Sequence, residues 1–205
     1  MSSGFPDGFF DRVDDSPDAE FYSWPRFVTH IDDDAIAAVS AFYAELGIRC
    51  RVLDLMSSWV SHFAERPEHL TVLGMNAEEL ERNPQAHATV VHDLNADPCL
   101  PFDSASFDAI VCCVSVDYLT RPIEVFRDVA RVLRPGGRLV CTFSNRVFAT
   151  KAILAWLYAD DDQRCRIVAD YFERSKVFEA PTVARRTPPG QLTDPLYAVW
   201  AARGS

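Results

Sequence analysis

From residue 32 onward the chain alternates short apolar runs with amphipathic stretches, and the spacing within each predicts the element it forms. Asp32, Asp33 and Asp34 supply an N-cap and negative charge at a helix start, and Ile36, Val39, Phe42, Tyr43 and Leu46 follow at helical spacing until Gly47 stops the helix. Residues 51–55, 71–75 and 88–92 read as three short strands, with residues 60–66 as the helical crossover between the first two. Residues 107–116 are almost continuously apolar, as a central parallel strand covered on both faces requires. Pro122 then opens a helix whose apolar face is Ile123, Phe126, Val129, Ala130 and Leu133. The run Arg134-Pro135-Gly136-Gly137 ends that helix, and residues 138–143 form a fifth strand. Residues 146–176 predict one or two helices, the second started by Asp160, Asp161 and Asp162 and buried through Ile167, Val168, Tyr171 and Phe172. Residues 182–185 and 196–201 supply a terminal hairpin. Alternation of this kind predicts an α/β chain with a Rossmann-like, doubly wound, mostly parallel seven-stranded sheet, helices on both faces and a C-terminal antiparallel hairpin.

The first 30 residues follow no such pattern. They mix Gly, Pro and Asp with Phe5, Phe9, Phe10, Phe21, Tyr22 and Trp24, too aromatic for a free tail, and read as an irregular lid or flap. Residues 31–205 are then one Rossmann domain, since 205 residues with 48% apolar side chains suffice for a single core and not for two. Lys and Arg number 20 against 30 Asp and Glu, a formal charge of -10, so a nucleic-acid partner would be repelled. No apolar run reaches the roughly 18 residues needed to span a bilayer. Residues 1–15 carry acids where a secretory leader carries bases, so a cytoplasmic protein with no membrane partner is expected. The six cysteines (Cys50, Cys99, Cys112, Cys113, Cys141, Cys165) lack C-x-x-C spacing and read as reduced core thiols, with no metal site.

Three segments then carry a more specific signal. Leu100-Pro101-Phe102-Asp103, Ser106-Phe107-Asp108-Ala109-Ile110-Val111 and Leu133-Arg134-Pro135-Gly136-Gly137-Arg138-Leu139 resemble, in order and spacing, signatures of the class I S-adenosylmethionine-dependent methyltransferases, especially the small-molecule type 11 group. The resemblance covers residues 51–143. It implies S-adenosyl-L-methionine as cofactor, held at the C-terminal edge of the sheet, and a small-molecule methyl acceptor as the other partner. Val52-Leu53-Asp54-Leu55 matches the start of the family's first motif, but Met56-Ser57-Ser58-Trp59-Val60-Ser61-His62 replaces its glycine loop. Glycine serves there because backbone must approach the ligand and adopt torsions costly to residues with a Cβ. Ser57 and Ser58 are small enough to allow that approach and carry hydroxyls for the methionyl carboxylate, provided that Met56 and Trp59 point away.

The resemblance further places Asn76 where an acid normally meets the ribose hydroxyls, so an amide stands in for a carboxylate. Asp93 matches the acid that accepts from the adenine amino group, beside Leu94, and Asp54 matches a contact to the methionyl ammonium. Ser115, Asp117 and Tyr118 lie at the end of the fourth strand, where the resemblance implies the transferred methyl, and are the candidates for substrate contact, Ser115 also for cofactor binding. Asp108 reads as a turn-fixing residue, and Cys112 and Cys113 as inert core thiols. Methyl transfer needs an aligned nucleophile and, for protonated acceptors, a base; His62, Asp117 and Tyr118 are the candidates, with His30 near the flap. The expected function is S-adenosylmethionine-dependent methyl transfer to a small molecule. The rival is a methyltransferase-fold binding module that has lost catalysis, which the missing glycines and Asn76 favour; a dehydrogenase lacks its G-x-G-x-x-G. An open pocket between Asp54, Asn76 and Asp93 separates the first from the second.

Overall fold

In this computed structural model residues 4–188, 190 and 192–204 are described. After a short helix α1 (Asp18–Phe21), α2 (Asp33–Glu45) begins at Asp32, whose side chain accepts from the Ala35 N–H, and stops before Gly47, at a φ of 66°. There follow β1 (Arg51–Leu55), β2 (His69–Gly74), α3 (Ala77–Glu81), β3 (Ala88–Val91), β4 (Phe107–Cys113) and α4 (Pro122–Val132). The chain ends with β5 (Leu133–Phe143), α5 (Leu154–Leu157), α6 (Asp161–Ser175), β6 (Thr182–Arg185) and β7 (Tyr197–Ala202). The seven strands lie in the order β3-β2-β1-β4-β5-β7-β6, parallel from β3 through β5 and antiparallel where β7 pairs with β5 and β6. This is the fold expected from the alternation of strands and helices.

Two apolar layers sandwich the sheet. Val39, Phe42 and Tyr43 of α2 pack on one face with Val52, Val72 and Val111; Val125, Phe126 and Val129 of α4 and Val168, Tyr171 and Phe172 of α6 pack on the other with Leu53, Ile110 and Leu139. Asp160 and Gln163 form a reciprocal cap at the start of α6. Between Phe107↔Leu133 and Ala109↔Arg138 the register shifts, so β5 starts earlier than residue 138 and bulges through Pro135 and Gly136. Asp108 clamps that bulge through the Arg134 guanidinium at 2.7 Å and the Arg51 N–H at 3.0 Å.

The helix expected over residues 60–66 is absent. Side chains from elsewhere hold this backbone instead: Gln85 Nε2 donates to Phe63 O at 2.8 Å, Ser40 Oγ to His62 O at 2.8 Å and Asn83 Nδ2 to Ser58 O at 3.1 Å. Trp59, Val60, His62 and Phe63 are weak helix formers, so these external partners prevail over intrahelical bonds. The thiols also correct the expectation in part: all six are free, but Cys50 and Cys99 are exposed and Cys113 is only half-buried rather than in the core.

The N-terminal segment is tied down by a buried ion network. Lys151, fully buried, meets Asp14 at 3.2 Å and Asp18 at 3.4 Å and donates to Ser16 O at 2.6 Å, while Arg12 meets Asp18 at 2.6 Å. Arg12 also bridges to Ile153, and Phe5 and Phe10 pack on Tyr171.

Candidate functional site

Strand order reverses between β1 and β4, and in a doubly wound sheet the crevice at such a switch point binds ligands. A cavity of about 480 Å³ opens there. Its walls come from the segment after β1 (Asp54, Met56, Ser57, Ser58, Trp59, His62), the ends of β2 and β3 (Gly74, Asn76, Asp93), α3 (Glu79) and the end of β4 (Cys113, Val114, Ser115). Tyr22, Arg26 and His30 of the N-terminal segment complete the wall together with Tyr118, Asn145, Arg146 and Phe148. No helix of the described residues is long and apolar enough to cross a membrane.

The chain leaves both central strands through left-handed backbone. Met56 follows β1 at a φ of 55° and Val114 follows β4 at 46°. This is a conformation that side chains with a Cβ adopt only at a cost, and for a β-branched residue it is an outlier. The single Ser115 Oγ proton is shared between Cys113 O at 2.9 Å and Met56 O at 3.2 Å, which brings the two turns together. Strain of this kind persists where surrounding contacts over-determine it, and it concentrates at binding sites. Met56 therefore takes up the glycine torsion without being glycine. Both Met56 and Trp59 contribute to the cavity wall, while the Met56 side chain packs against the core and the Trp59 indole N–H is held by Val28 O at 3.1 Å.

Glycine's other task, close approach, has moved to the next strand. Ser57 N–H donates to Leu73 O at 2.7 Å, and a Cβ on Gly74 would overlap the Ser57 carbonyl oxygen. The segment after β1 therefore lies directly on the end of β2. Ser57 and Ser61 both donate to Asp54 Oδ2, at 2.7 and 2.5 Å. Burial nevertheless dominates and pushes the Asp54 carboxyl up to about 6.

The remaining sequence-predicted residues divide into two groups. Asp54, Met56, Ser57, Ser58, Asn76, Asp93, Ser115, Tyr118 and His62 come together on the cavity wall, whereas Leu94 and Asp117 do not line it. Leu94 packs into the core. Asp117 is buried, has an Oδ2 without a hydrogen-bond partner, and is pushed up to about 7 by desolvation. Tyr118 accepts the Phe148 N–H at 2.9 Å through its hydroxyl oxygen. Asp93 Oδ1 accepts the N–H groups of Asn95 and Ala96. The serine hydroxyls expected to meet a carboxylate ligand are given to protein acids: Ser57 to Asp54, Ser58 to Glu79 at 2.6 Å. Burial lowers His62 below the ordinary histidine value, helped by neighbouring His30, and burial likewise lowers His30.

Sequence reasoning missed Glu79, Arg26 and Phe148, and named Tyr22 only as part of the aromatic flap. For Glu79 a signal existed, an acid three residues after a capping Asn, but that spacing reads first as helix capping. The Arg26 guanidinium sits 5.6 Å from the centroid of the Phe148 ring, and Phe148 packs against His30 and Tyr118. These contacts join segments far apart in the chain, and no local pattern announces them.

Comparison with known proteins agrees with this geometry. Over 90 residues the chain is 33% identical to the ubiquinone/menaquinone biosynthesis C-methyltransferase of Bartonella quintana, covering 40% of this chain and 34% of that protein. It is 28% identical over 115 residues to the ubiquinone biosynthesis O-methyltransferase of Xanthomonas oryzae pv. oryzae, covering 56% of this chain and 42% of that one. The chain thus spans less than half the length of these curated relatives. A solved S-adenosylmethionine-dependent methyltransferase of Leishmania major shares the fold with a TM-score of 0.60 at 16% identity, covering 83% of this chain and 72% of its own. The family model described as a methyltransferase domain matches residues 38–141, half of the sequence, and the chain belongs to that family, the class I methyltransferases whose cofactor is S-adenosylmethionine.

Proposed function

We propose that this protein transfers the methyl group of S-adenosylmethionine to a small, ring-bearing acceptor. The observation that carries the reading is a cavity whose lining combines two kinds of group. The carboxylates of Asp54, Glu79 and Asp93 are acceptors suited to a ligand that presents an ammonium, two ribose hydroxyls and an adenine amine. Tyr22, His30, Tyr118 and Phe148 with Arg26 add aromatic and cationic surface suited to a flat, polar-edged molecule. About 480 Å³ falls within the range of small-ligand sites. The family's cofactor therefore fits the residues present.

In this reading Asp54 receives the methionyl ammonium on its Oδ1 oxygen, since both serine hydroxyls occupy Oδ2. Asp93 accepts from the adenine amine. When bound, S-adenosylmethionine supplies a methyl group activated on a sulfonium, and positioning the acceptor in line with it accounts for most of the rate. His62, held neutral at pH 7 by burial, accepts a proton from an acceptor hydroxyl, with His30 beside it. The relatives named for ubiquinone and menaquinone biosynthesis support a ring acceptor.

S-adenosylhomocysteine should raise the melting temperature, because a ligand bound only by the native state stabilises it by roughly 2.7 kcal/mol at a hundredfold excess over Kd. No shift and no calorimetric heat at millimolar ligand, with the protein folded, would defeat the proposal. That outcome would leave an inactive binding module, a reading favoured by Asn76, whose amide and carbonyl are already committed within the protein.

A further inference from the structure

We infer that Glu79 accepts the ribose hydroxyls of S-adenosylmethionine, replacing the acid that Asn76 lacks; the inference rests on the cofactor reading above. The end of β2 is where a nucleotide-binding sheet usually offers its ribose acceptor. Here that side chain is spent. Asn76 Oδ1 caps α3 by accepting the Glu79 N–H at 3.1 Å, and its Nδ2 donates to Tyr22 O at 2.9 Å and Ser23 O at 3.4 Å. Turning it toward a ligand would uncap α3 and give up its bonds to Tyr22 and Ser23.

Glu79 stands one helical turn further on and faces the same cavity. Its residue is only 8% exposed, so the carboxylate gains little from bulk water. It receives two neutral donors, the Arg26 N–H on Oε1 and the Ser58 hydroxyl on Oε2, each at 2.6 Å. An ionised carboxylate has roughly four lone-pair sites, so about two remain. A buried anion with spare acceptor capacity on a cavity wall is matched by a pair of hydroxyls, which bring two donors and no charge. Ser58 places that carboxylate directly against the segment that replaces the glycine loop, and the Asn76 cap fixes the start of the helix that carries it.

The test compares S-adenosylhomocysteine with its 2′-deoxyribose counterpart by calorimetry, for the wild type, Glu79→Gln and Ser58→Ala. We expect the wild type to bind the deoxy ligand about tenfold more weakly, the usual scale for a lost charge-assisted hydrogen bond. Glu79→Gln should bind S-adenosylhomocysteine about tenfold more weakly and discriminate between the two ligands less than about twofold. Ser58→Ala, which removes only the tie to the loop, should keep the wild-type discrimination. Equal affinity of the wild type for both ligands would overturn the inference, and this measurement needs no variant to fold. So would full discrimination in Glu79→Gln, or the same loss of discrimination in Ser58→Ala, which would make Glu79 a strut for the loop. If the wild type fails to bind S-adenosylhomocysteine at all, the cofactor reading falls and takes this inference with it; if it binds without discriminating, only the inference falls.

Discussion

Between β4 and β5 the chain crosses back on an 11-residue helix with one apolar face, then turns through Pro135 and Gly136; between β1 and β2 it crosses with no helix at all. The first crossover satisfies most of its backbone within its helix, with Asn95 bonding the turn before it at Tyr118 O and the Thr120 N–H. The second borrows Ser40, Asn83 and Gln85 from other elements to hold Ser58, His62 and Phe63. Both leave their strand through one left-handed residue, Val114 after β4 and Met56 after β1, but only the second has the close backbone contact moved to Gly74. A binding crevice thus depends on where the backbone passes and on which atoms face it. The loop sequence that achieves this is free to change if neighbouring residues absorb the difference.

The largest effect expected from breaking this comparison is at Gly74. Ala at this position would drive its Cβ into the Ser57 carbonyl, and the obstacle is backbone that cannot rotate aside. Gly74→Ala should therefore lift the segment off β2, sever the Ser57-to-Leu73 hydrogen bond and cost roughly 3 kcal/mol, the scale of overpacking in a buried site. Urea denaturation measures the stability, and calorimetry should find S-adenosylhomocysteine binding lost. A variant as stable as the wild type with binding intact would show that the contact at Gly74 does not set the loop.

Next in size is the pH dependence of Asp54. Its carboxyl is raised from the ordinary 3.8 to about 6 by burial, so between those values the folded protein keeps a proton that the unfolded chain releases. The contribution to stability is full below about pH 4 and is lost as pH rises through about 6. At about 1.4 kcal/mol per unit, the loss is about 2 to 3 kcal/mol. Asp117, raised to about 7, adds a loss of the same sign at higher pH, and comparing the wild type with Asp54→Asn across the range cancels it. The stability difference between the two should fall as pH rises from 4 to 7 in denaturant titrations. Ligand affinity should move oppositely, tightening above pH 6 in the wild type alone, because the methionyl ammonium needs the ionised acid. A pH-independent difference would mean that Asp54 ionises in the folded state as it does in the unfolded chain.

These two tests fall on the half of the molecule that was hardest to read. The β4-α4-β5 half follows from neighbours in sequence, Pro122 starting a helix and an apolar face at 3.6 spacing, although the helix ends at Val132 and the Gly pair expected to stop it lies in the bulge of β5. The capping runs at Asp32 and Asp160 were legible for the same reason. Asp54, Asn76 and Asp93 were legible as positions, because strand ends fix them, but their partners were not. Ser57 and Ser61 on Asp54, Tyr22 on Asn76 and Arg26 on Glu79 are contacts that only the folded chain brings together. The missing helix over residues 60–66 went unread for this reason: its backbone bonds to side chains about 20 residues away, and periodicity says nothing about those.

The smallest expected effect sharpens the contrast from the legible side. Gly136 has a φ of 76°, so only its torsion calls for glycine; a Cβ there would meet nothing within 4 Å. Gly136→Ala should cost about 1 kcal/mol, the usual strain of a left-handed residue with a Cβ, and no more, because there is no overlap to relieve. Gly136 sits in the bulge that opens β5, at the end of the sheet opposite the crevice, and is not part of its walls. Affinity for S-adenosylhomocysteine should therefore match the wild type within the error of calorimetry. The two glycine substitutions separate the glycine functions that a single methyltransferase loop ordinarily combines: torsion alone at Gly136, close approach alone at Gly74. A binding loss in Gly136→Ala comparable to that in Gly74→Ala would show instead that the two crossovers are mechanically coupled across β1 and β4, and the division drawn between the halves would not stand.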